Sequence, residues 1–225
     1  MVKIISIEGN IGSGKSTILR LLKKYSKSKY IFVQEPVEEW NSIRDKEGET
    51  ILSHFYRDNK QYSFQFQMMA YISRLNVLRN IIKDNPNAII ITERCLYTDK
   101  FVFAKMLYDN DKMTDIEYTI YNKWFNTFAE EIPLNGIIYI HTNPKTCEER
   151  IIHRNRIGES IPIEYLTTCH EYHNTWLNET MIPIVKYDGN INIDDTNNLQ
   201  IISMIENNIK HLLEYSTIEI QSFET

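Results

Sequence analysis

Basic residues are in the minority. The chain carries 25 lysines and arginines against 30 aspartates and glutamates, a formal net charge of -5. Nonspecific attachment to a nucleic-acid backbone needs the opposite balance, so no nucleic-acid partner is expected. An anionic small molecule fits only if positive charge is concentrated locally. Cysteine is scarce too: Cys95, Cys147 and Cys169 are the only three, widely spaced and in no C-x-x-C pair. That argues against a disulfide framework and for a reducing compartment. No apolar run approaches the about 20 residues of a membrane-spanning helix; the longest read "AIII" and "GIIYI". No membrane partner is expected. The first strand pattern begins at Val2, so no signal or transit segment is expected and the expected location is cytoplasmic. No Pro/Gly/Ser linker interrupts the 225 residues, which suits one domain over residues 1–225.

What is present is regular. "KIISIE", "YIFVQE", "AIIITE", "GIIYIH" and "IPIVKY" read as buried strands. Helical patterns lie between them: from Gly14 to about Tyr25, Phe64–Ile82, Tyr97–Tyr108, Thr114–Glu130, Pro144–His153 and Pro162–Leu177. Ile201, Ile205, Ile209 and Leu212 mark a last stripe. Five strands alternating with helices imply an α/β fold whose parallel sheet is covered on both faces. Ligands in such sheets sit beyond the carboxyl ends of the strands. Three of those ends carry polar residues: Glu8-Gly9, Glu35-Pro36 and Glu93-Arg94.

Glycine is rare, with 7 in the chain, yet Gly9, Gly12 and Gly14 share one short stretch. Gly9-x-x-x-x-Gly14-Lys15-Ser16 is a phosphate loop in its required setting, after a strand and before a helix. Gly9, Asn10, Ile11, Gly12, Ser13, Gly14, Lys15, Ser16 and Thr17 then cradle ATP. Backbone N–H groups and the positive end of the helix face the phosphates. Lys15 reaches the β- and γ-phosphates, and Ser16 ligates Mg²⁺. Beside this cradle Glu35 is placed to accept a proton from an attacking hydroxyl. On the long helix Gln67, Ala70 and Arg74 share one face, with Phe66 at its edge. Met68, Tyr71, Ile72, Leu75 and Leu78 supply the core side. A glutamine there asks for a partner offering both donor and acceptor, as a base edge does. His170 and His173 stand three apart with no third ligand nearby, so they are expected to be surface or internally satisfied histidines rather than a metal pair.

"ISIEGNIGSGKST", "EPVEEW", "FQFQ...SR", "ITERCLYTD" and "RIIHRNR...IPIEYL" follow in order from about residue 2 to residue 213. Together they resemble the deoxynucleoside kinases, in the branch of the deoxycytidine, deoxyguanosine and deoxyadenosine kinases. The resemblance implies a P-loop kinase with a five-stranded parallel sheet, a lid over about 150–161 and an unassigned tail, 216–225. It implies transfer of the γ-phosphoryl group of ATP to a deoxynucleoside 5′-hydroxyl, for nucleotide salvage. Glu35 would contact that hydroxyl. Glu93 would lie near Mg²⁺ and share the proton-acceptor role, which stays undivided between the two. Arg94 would hold the 5′-oxygen and steer Glu35, and Arg150, Arg154 and Arg156 would close on the transferring group. Cys95 replaces the family's usual serine.

On the acceptor side the resemblance pairs Arg74 with Asp99 across the base, which favours deoxycytidine or a purine deoxynucleoside over thymidine. Trp40, Leu52, Phe66, Ala70 and Phe103 would wall the pocket. Tyr56 and Glu159 would bind the 3′-hydroxyl, and the Tyr56 ring would crowd a 2′-hydroxyl. Asp188 and Asn190, in "YDGNINIDD", belong to the loop that holds the donor base. Ile191, Asn192 and Ile193 replace the acidic and aromatic run of some relatives, so ATP and other donors stay open. A homodimer through the helices beginning near Tyr97 and Thr114 is a further implication. The alternatives are a monophosphate kinase of the thymidylate type and a nonenzymatic nucleotide binder. No N-K-x-D motif supports a guanine-nucleotide switch.

Overall fold

Isoleucine and valine crowd into the short runs above, and in the computed structural model those runs pair into one sheet. The structure describes residues 1–27, 29–156, 159–193 and 197–222, with side chains as far as Glu214. The strands are β1 (Lys3–Glu8), β2 (Tyr30–Val33), β3 (Ile89–Glu93), β4 (Gly136–His141) and β5 (Ile184–Asp188). Their order is β2-β3-β1-β4-β5, with every pair parallel. Ile5 stands opposite Ile91 on β3 and Gly136 on β4.

Alternation along each strand divides the isoleucines between two cores. Ile4, Ile90 and Ile137 face one side, against Tyr71, Leu75 and Leu78. Ile5, Ile7, Ile91, Ile138 and Ile140 face the other, against Ile18, Leu19 and Leu22 and against Ile202, Ile205, Ile209 and Leu212. Both faces are therefore dry, and strands buried on both faces read as unbroken apolar runs.

The helices are α1 (Lys15–Tyr25), α2 (Val37–Ser42), α3 (Ile51–Arg57), α4 (Asn59–Asp84), α5 (Leu96–Thr98), α6 (Lys105–Asp109), α7 (Asp115–Phe128), α8 (Pro144–Arg154), α9 (Ile163–Glu179) and α10 (Asn198–Ser222). Their caps are chemical. Thr114 and Glu117 form a reciprocal capping box at the start of α7. Asp58 accepts from the Gln61 N–H and starts α4, earlier than the expected start at Phe64. Pro144 opens α8, and Asn155, with φ 46°, ends it.

Several expectations change. The helix expected over Tyr97–Tyr108 runs from α5 to α6 through a π turn, Asp99–Ala104, a feature that occurs often at functional sites. The pattern expected to reach Glu130 leaves α-helical form at Phe128 and finishes as a 3₁₀ turn. Ile72, expected in the core, is 39% exposed. The backbone from Ser216 to Ser222, in the tail without a reading, continues α10.

Candidate active site

β1 is the central strand, so the loop after it opens into the crevice between strands that lead opposite ways. All three glycines of this loop have positive φ: Gly9 at 146°, Gly12 at 79° and Gly14 at 100°. Close approach demands two of them as well. A Cβ on Gly9 would lie 2.5 Å from the Ile140 carbonyl oxygen, and one on Gly12 would lie 2.5 Å from that of Cys147. Bare backbone thus packs on β4 and α8 at these two positions. The Asn10 amide donates to the Leu166 carbonyl at 2.8 Å, which ties the loop to α9. Lys15 is buried and donates to the Asn10 carbonyl at 2.7 Å. Burial, then the charge of Arg94, lowers its pKa to about 8 against the pull of Glu35, Glu93 and Glu8.

Ser16 donates to Glu93 Oε1 at 2.5 Å. A hydroxyl and a carboxylate side by side at the loop are hard oxygen donors of the kind Mg²⁺ takes alongside substrate phosphates. The expected metal pair therefore fits that ion.

Glu35 follows β2 and is partly exposed, with 19% of its side chain accessible. Its Oε1 accepts from Arg94 Nε at 2.9 Å and from Arg74 Nη2 at 3.1 Å. Both bonds fall on Oε1, so among the described residues Oε2 is left over. Burial pushes this carboxyl up, but Arg94, Arg74 and Lys15 outweigh it and hold it below its ordinary range. Arg74, on the buried face of α4, also donates to Asp99 Oδ2 at 2.9 Å and to the Glu93 carbonyl at 2.9 Å. Burial works against its charge, and Asp99 and Glu35 more than restore it. Burial in turn raises the Asp99 carboxyl against the pull of Arg74. Arg94 has φ 63°, unusual for a residue with a side chain. Its Nη1 donates to the Gly9 carbonyl at 2.9 Å, and its guanidinium lies 4.8 Å from the Phe103 ring centroid.

A cleft of about 850 Å³ joins these groups. All twelve residues expected on the acceptor side line it: Glu35, Trp40, Leu52, Tyr56, Phe66, Gln67, Ala70, Arg74, Arg94, Asp99, Phe103 and Glu159. Gln67 is 2% exposed, and among the described residues its amide has no hydrogen-bond partner. Trp40 is fixed by Ser73 at 2.9 Å and meets the Phe66 ring edge-on. Phe55 and Tyr165 also line the cleft, and Phe55 stacks on Phe66 at 4.7 Å. Neither was expected. Phe55 lies on α3, a helix too short for its period to show in the sequence, and an aromatic beside Tyr56 was its only signal.

Arg150, Arg154 and Arg156 reach the same cleft. Arg154 is paired with Glu159 at 2.6 Å, and Arg156 is 3.9 Å from it. Arg150 turns to the donor side, donating to the carbonyls of Gly189 at 2.8 Å and Ser13 at 3.3 Å. Within the expected lid, Ile157 and Gly158 lie outside the described residues, as do Asp194 and Asp195 of the donor-base loop.

A second hollow, about 250 Å³, opens beyond Gly14 and Thr17. It is lined by Asp188, Ile191, Asn192, Ile193, Ile201 and Met204 among others. Asn190 does not line it. Instead Asn190 braces the loop, donating to Asp188 Oδ1 and accepting from the Asn143 N–H.

The cysteines are all free and buried. Cys169 Sγ is 3.5 Å from Met106 Sδ, Cys147 backs Gly12, and Cys95 lies 3.5 Å from the Thr98 hydroxyl. Burial pushes the Cys147 thiol up to about 11 and Cys169 to about 12, and raises Cys95 well above its usual value. His173 is fully buried, with its Nδ1 at 2.7 Å from the Cys169 carbonyl, and the His170 ring lies 4.9 Å from that of His141. Asp45, Glu49 and His54 cluster away from the cleft. Arg57 donates to His54 Nδ1 at 2.7 Å, so the proton of the neutral ring sits on Nε2, 2.6 Å from Asp45. That nitrogen has no lone pair for a metal, and the cluster instead pins the loop between α2 and α3.

A nucleotide switch has no need of a second chamber against its phosphate loop. A chamber that meets the phosphates at a carboxylate held by two arginines serves a second reactant, and fold and site together define a P-loop kinase. Comparison with known proteins then gives the family: the deoxynucleoside kinase model matches residues 5–212, and the chain belongs to that family. It is 36% identical to human deoxycytidine kinase over 78% of this chain and 75% of that protein. A probable deoxycytidine kinase of fowlpox virus is 36% identical over 87% of this chain and 83% of its own length. The mitochondrial deoxyguanosine kinase of Xenopus laevis is 33% identical over 78% and 73%.

Proposed function

We propose that the chain moves the γ-phosphoryl group of ATP to the 5′-hydroxyl of a deoxynucleoside whose base bears an amino group, in preference to thymidine. The seat of Glu35 carries this reading. A hydroxyl entering from the acceptor chamber meets a carboxylate kept ionised by two arginines, with one oxygen to spare. Glu93 already accepts from Ser16, which favours Glu35 as the proton acceptor. Phosphoryl transfer passes through a loose transition state, so placing the hydroxyl matters more than the strength of the base. Lys15, the loop N–H groups and the N-terminus of α1 hold the donor phosphates. Ser16 and Glu93 would hold Mg²⁺, which would supply charge neutralisation on the phosphates. Arg150, Arg154 and Arg156 close over the transferring group.

Base selection follows from Gln67, Arg74 and Asp99. The unpartnered Gln67 amide offers a donor and an acceptor to a base edge. Asp99 accepts from an exocyclic amine, and Arg74 fills the space of a thymine methyl. Relatives named for deoxycytidine and deoxyguanosine support this class. Tyr56 and Glu159 take the 3′-hydroxyl. A phosphorylated acceptor is disfavoured because Arg74 and Arg94 are already paired with carboxylates. The second hollow takes the donor base, with Asp188 on its wall.

In this reading residues 1–225 form one cytoplasmic kinase domain that works as a homodimer. Ile116, Ile120 and Trp124 lie along one exposed face of α7, and Ile72 is exposed on the neighbouring α4, an apolar surface of the kind that pairing covers.

The test is transfer from labelled ATP with Mg²⁺ to deoxycytidine, deoxyadenosine, deoxyguanosine, thymidine and the nucleoside monophosphates in parallel. Fast product from an amino-bearing deoxynucleoside with slow thymidine is expected. Product from a monophosphate alone would overturn the acceptor assignment, and no product at all would return the chain to a nucleotide binder.

A further inference from the structure

Arg94 must aim its guanidinium from a backbone position that side-chain residues rarely occupy. Among the described residues, three groups besides Glu35 contact it: the Gly9 carbonyl, the face of Phe103, and His173 Nε2 at 3.4 Å from Nη1. His173 is 0% exposed and belongs to α9, beyond the lid. Its Nδ1 is 2.7 Å from the Cys169 carbonyl, one turn back on the same helix. A carbonyl can only accept, so Nδ1 carries the proton of the neutral ring. Nε2 is then left with a lone pair facing Arg94, a donor that has no acceptor capacity of its own.

We propose that His173 is a positioning residue for phosphoryl transfer: its Nε2 accepts from Arg94 and fixes the guanidinium that holds Glu35 Oε1. The idea rests on the kinase reading above, and it adds a residue outside the substrate cleft to the machinery. A histidine serves here because it spans two partners. One ring nitrogen anchors to the helix backbone and the other reaches across to the arginine. The ring also sits edge-on to Phe103, at 6.1 Å between centroids, and stacks with Tyr139 at 6.3 Å, so its plane is set from both sides. Burial, and then the charge of Arg94, holds its pKa well below the ordinary histidine value, so the ring stays a neutral acceptor. Because α9 also binds Asn10 through the Leu166 carbonyl, one helix steadies both the phosphate loop and the arginine beside the proton acceptor.

Two substitutions separate positioning from packing. His173→Asn keeps an amide near the Nδ1 position and loses the far acceptor, whereas His173→Gln carries an oxygen out toward the Nε2 position. The expected result is a kcat roughly 10- to 100-fold lower in the Asn variant, the scale of a misplaced catalytic group. KM for ATP and for the deoxynucleoside should change little, the thermal midpoint should be retained, and the Gln variant should recover most of the rate. Wild-type kcat in the Asn variant would overturn the proposal. Equal losses of rate and thermal midpoint in both variants would also overturn it, since they would mark a packing role alone. A second readout needs no activity: ¹⁵N spectra of the histidine-labelled chain, with the His173 signal assigned by its absence in the variants. A ring protonated on Nδ1 and bare on Nε2 is expected, and the opposite tautomer would overturn the proposal. If the wild-type chain phosphorylates no deoxynucleoside, the kinase reading fails, and the tautomer still decides the Arg94 contact.

Discussion

Replacing Glu35 with Gln will lower turnover roughly 100-fold or more, the usual contribution of a placed general base, while leaving the chain folded. Glutamine is nearly the same shape. Its amide oxygen can take the place of Oε1 between Arg94 and Arg74, so the pocket keeps its geometry. Its –NH₂ then stands where Oε2 was, and an amide nitrogen cannot receive the hydroxyl proton. The cost to stability should be small because the side chain is partly exposed and its neighbours keep an acceptor. Steady-state kcat beside a thermal melt checks both halves. A wild-type rate would remove Glu35 from the chemistry and leave Glu93 as the candidate.

The pH profile makes the same point independently. The folded-state pKa of Glu35 is depressed, so the active carboxylate is present at neutral pH and is lost as pH falls through that lowered value. The acid limb of kcat should therefore lie below the ordinary carboxylate range. Arg74→Met removes one of the charges that depress it, so the limb should move to higher pH in that variant.

Arg74→Met combined with Asp99→Ala will shift base preference toward thymidine. Sites that hydrogen-bond a polar substrate group reject analogues lacking it by about 10⁴- to 10⁵-fold, whereas apolar pockets discriminate weakly. The ratio of kcat/KM for thymidine to that for deoxycytidine should therefore rise by roughly 100-fold. Asp99→Ala alone is the worse change for stability. It leaves the buried Arg74 with Glu35 as its one carboxylate, and breaking a buried pair from one side costs about 3–5 kcal/mol. Removing both partners leaves no orphaned charge, so the double variant should melt higher than the single one. Arg74 also bonds Glu35, so the gain in thymidine use should come with a lower maximum rate. Unchanged base preference in the double variant would refute the assignment of Arg74 and Asp99 to the base.

The parts of this fold that were legible in the sequence are those with one dominant physical cause. The five strands are buried on both faces and read as β-branched runs, and the phosphate loop announces itself because Gly9, Gly12 and Gly14 answer backbone demands no other residue meets. Helices α2 and α3 were missed because a helix of six or seven residues shows no full amphipathic period. Phe55 was lost with them. The twelve acceptor-side residues line one cleft, but the wiring among them did not show: that one oxygen of Glu35 serves two arginines depends on how β2, β3 and α4 approach, which no local pattern encodes. His173 was expected to be a surface or internally satisfied histidine, and the fold buries it with a partner at each ring nitrogen. Only the fold reveals that one of the groups satisfying it is Arg94.

The three buried thiols give the molecule a built-in clock for its own opening. Cys147 lies behind the phosphate loop, Cys95 at the head of α5 near the acceptor chamber and Cys169 within α9. Only a thiolate reacts quickly with an alkylating reagent, and burial keeps all three protonated as well as covered. Labelling must therefore wait for the surrounding structure to part, and its rate counts how often that happens. Occupying the phosphate loop should slow Cys147 first, and occupying the acceptor chamber should slow Cys95, so peptide mapping of the label would report which half of the enzyme a given nucleotide has closed.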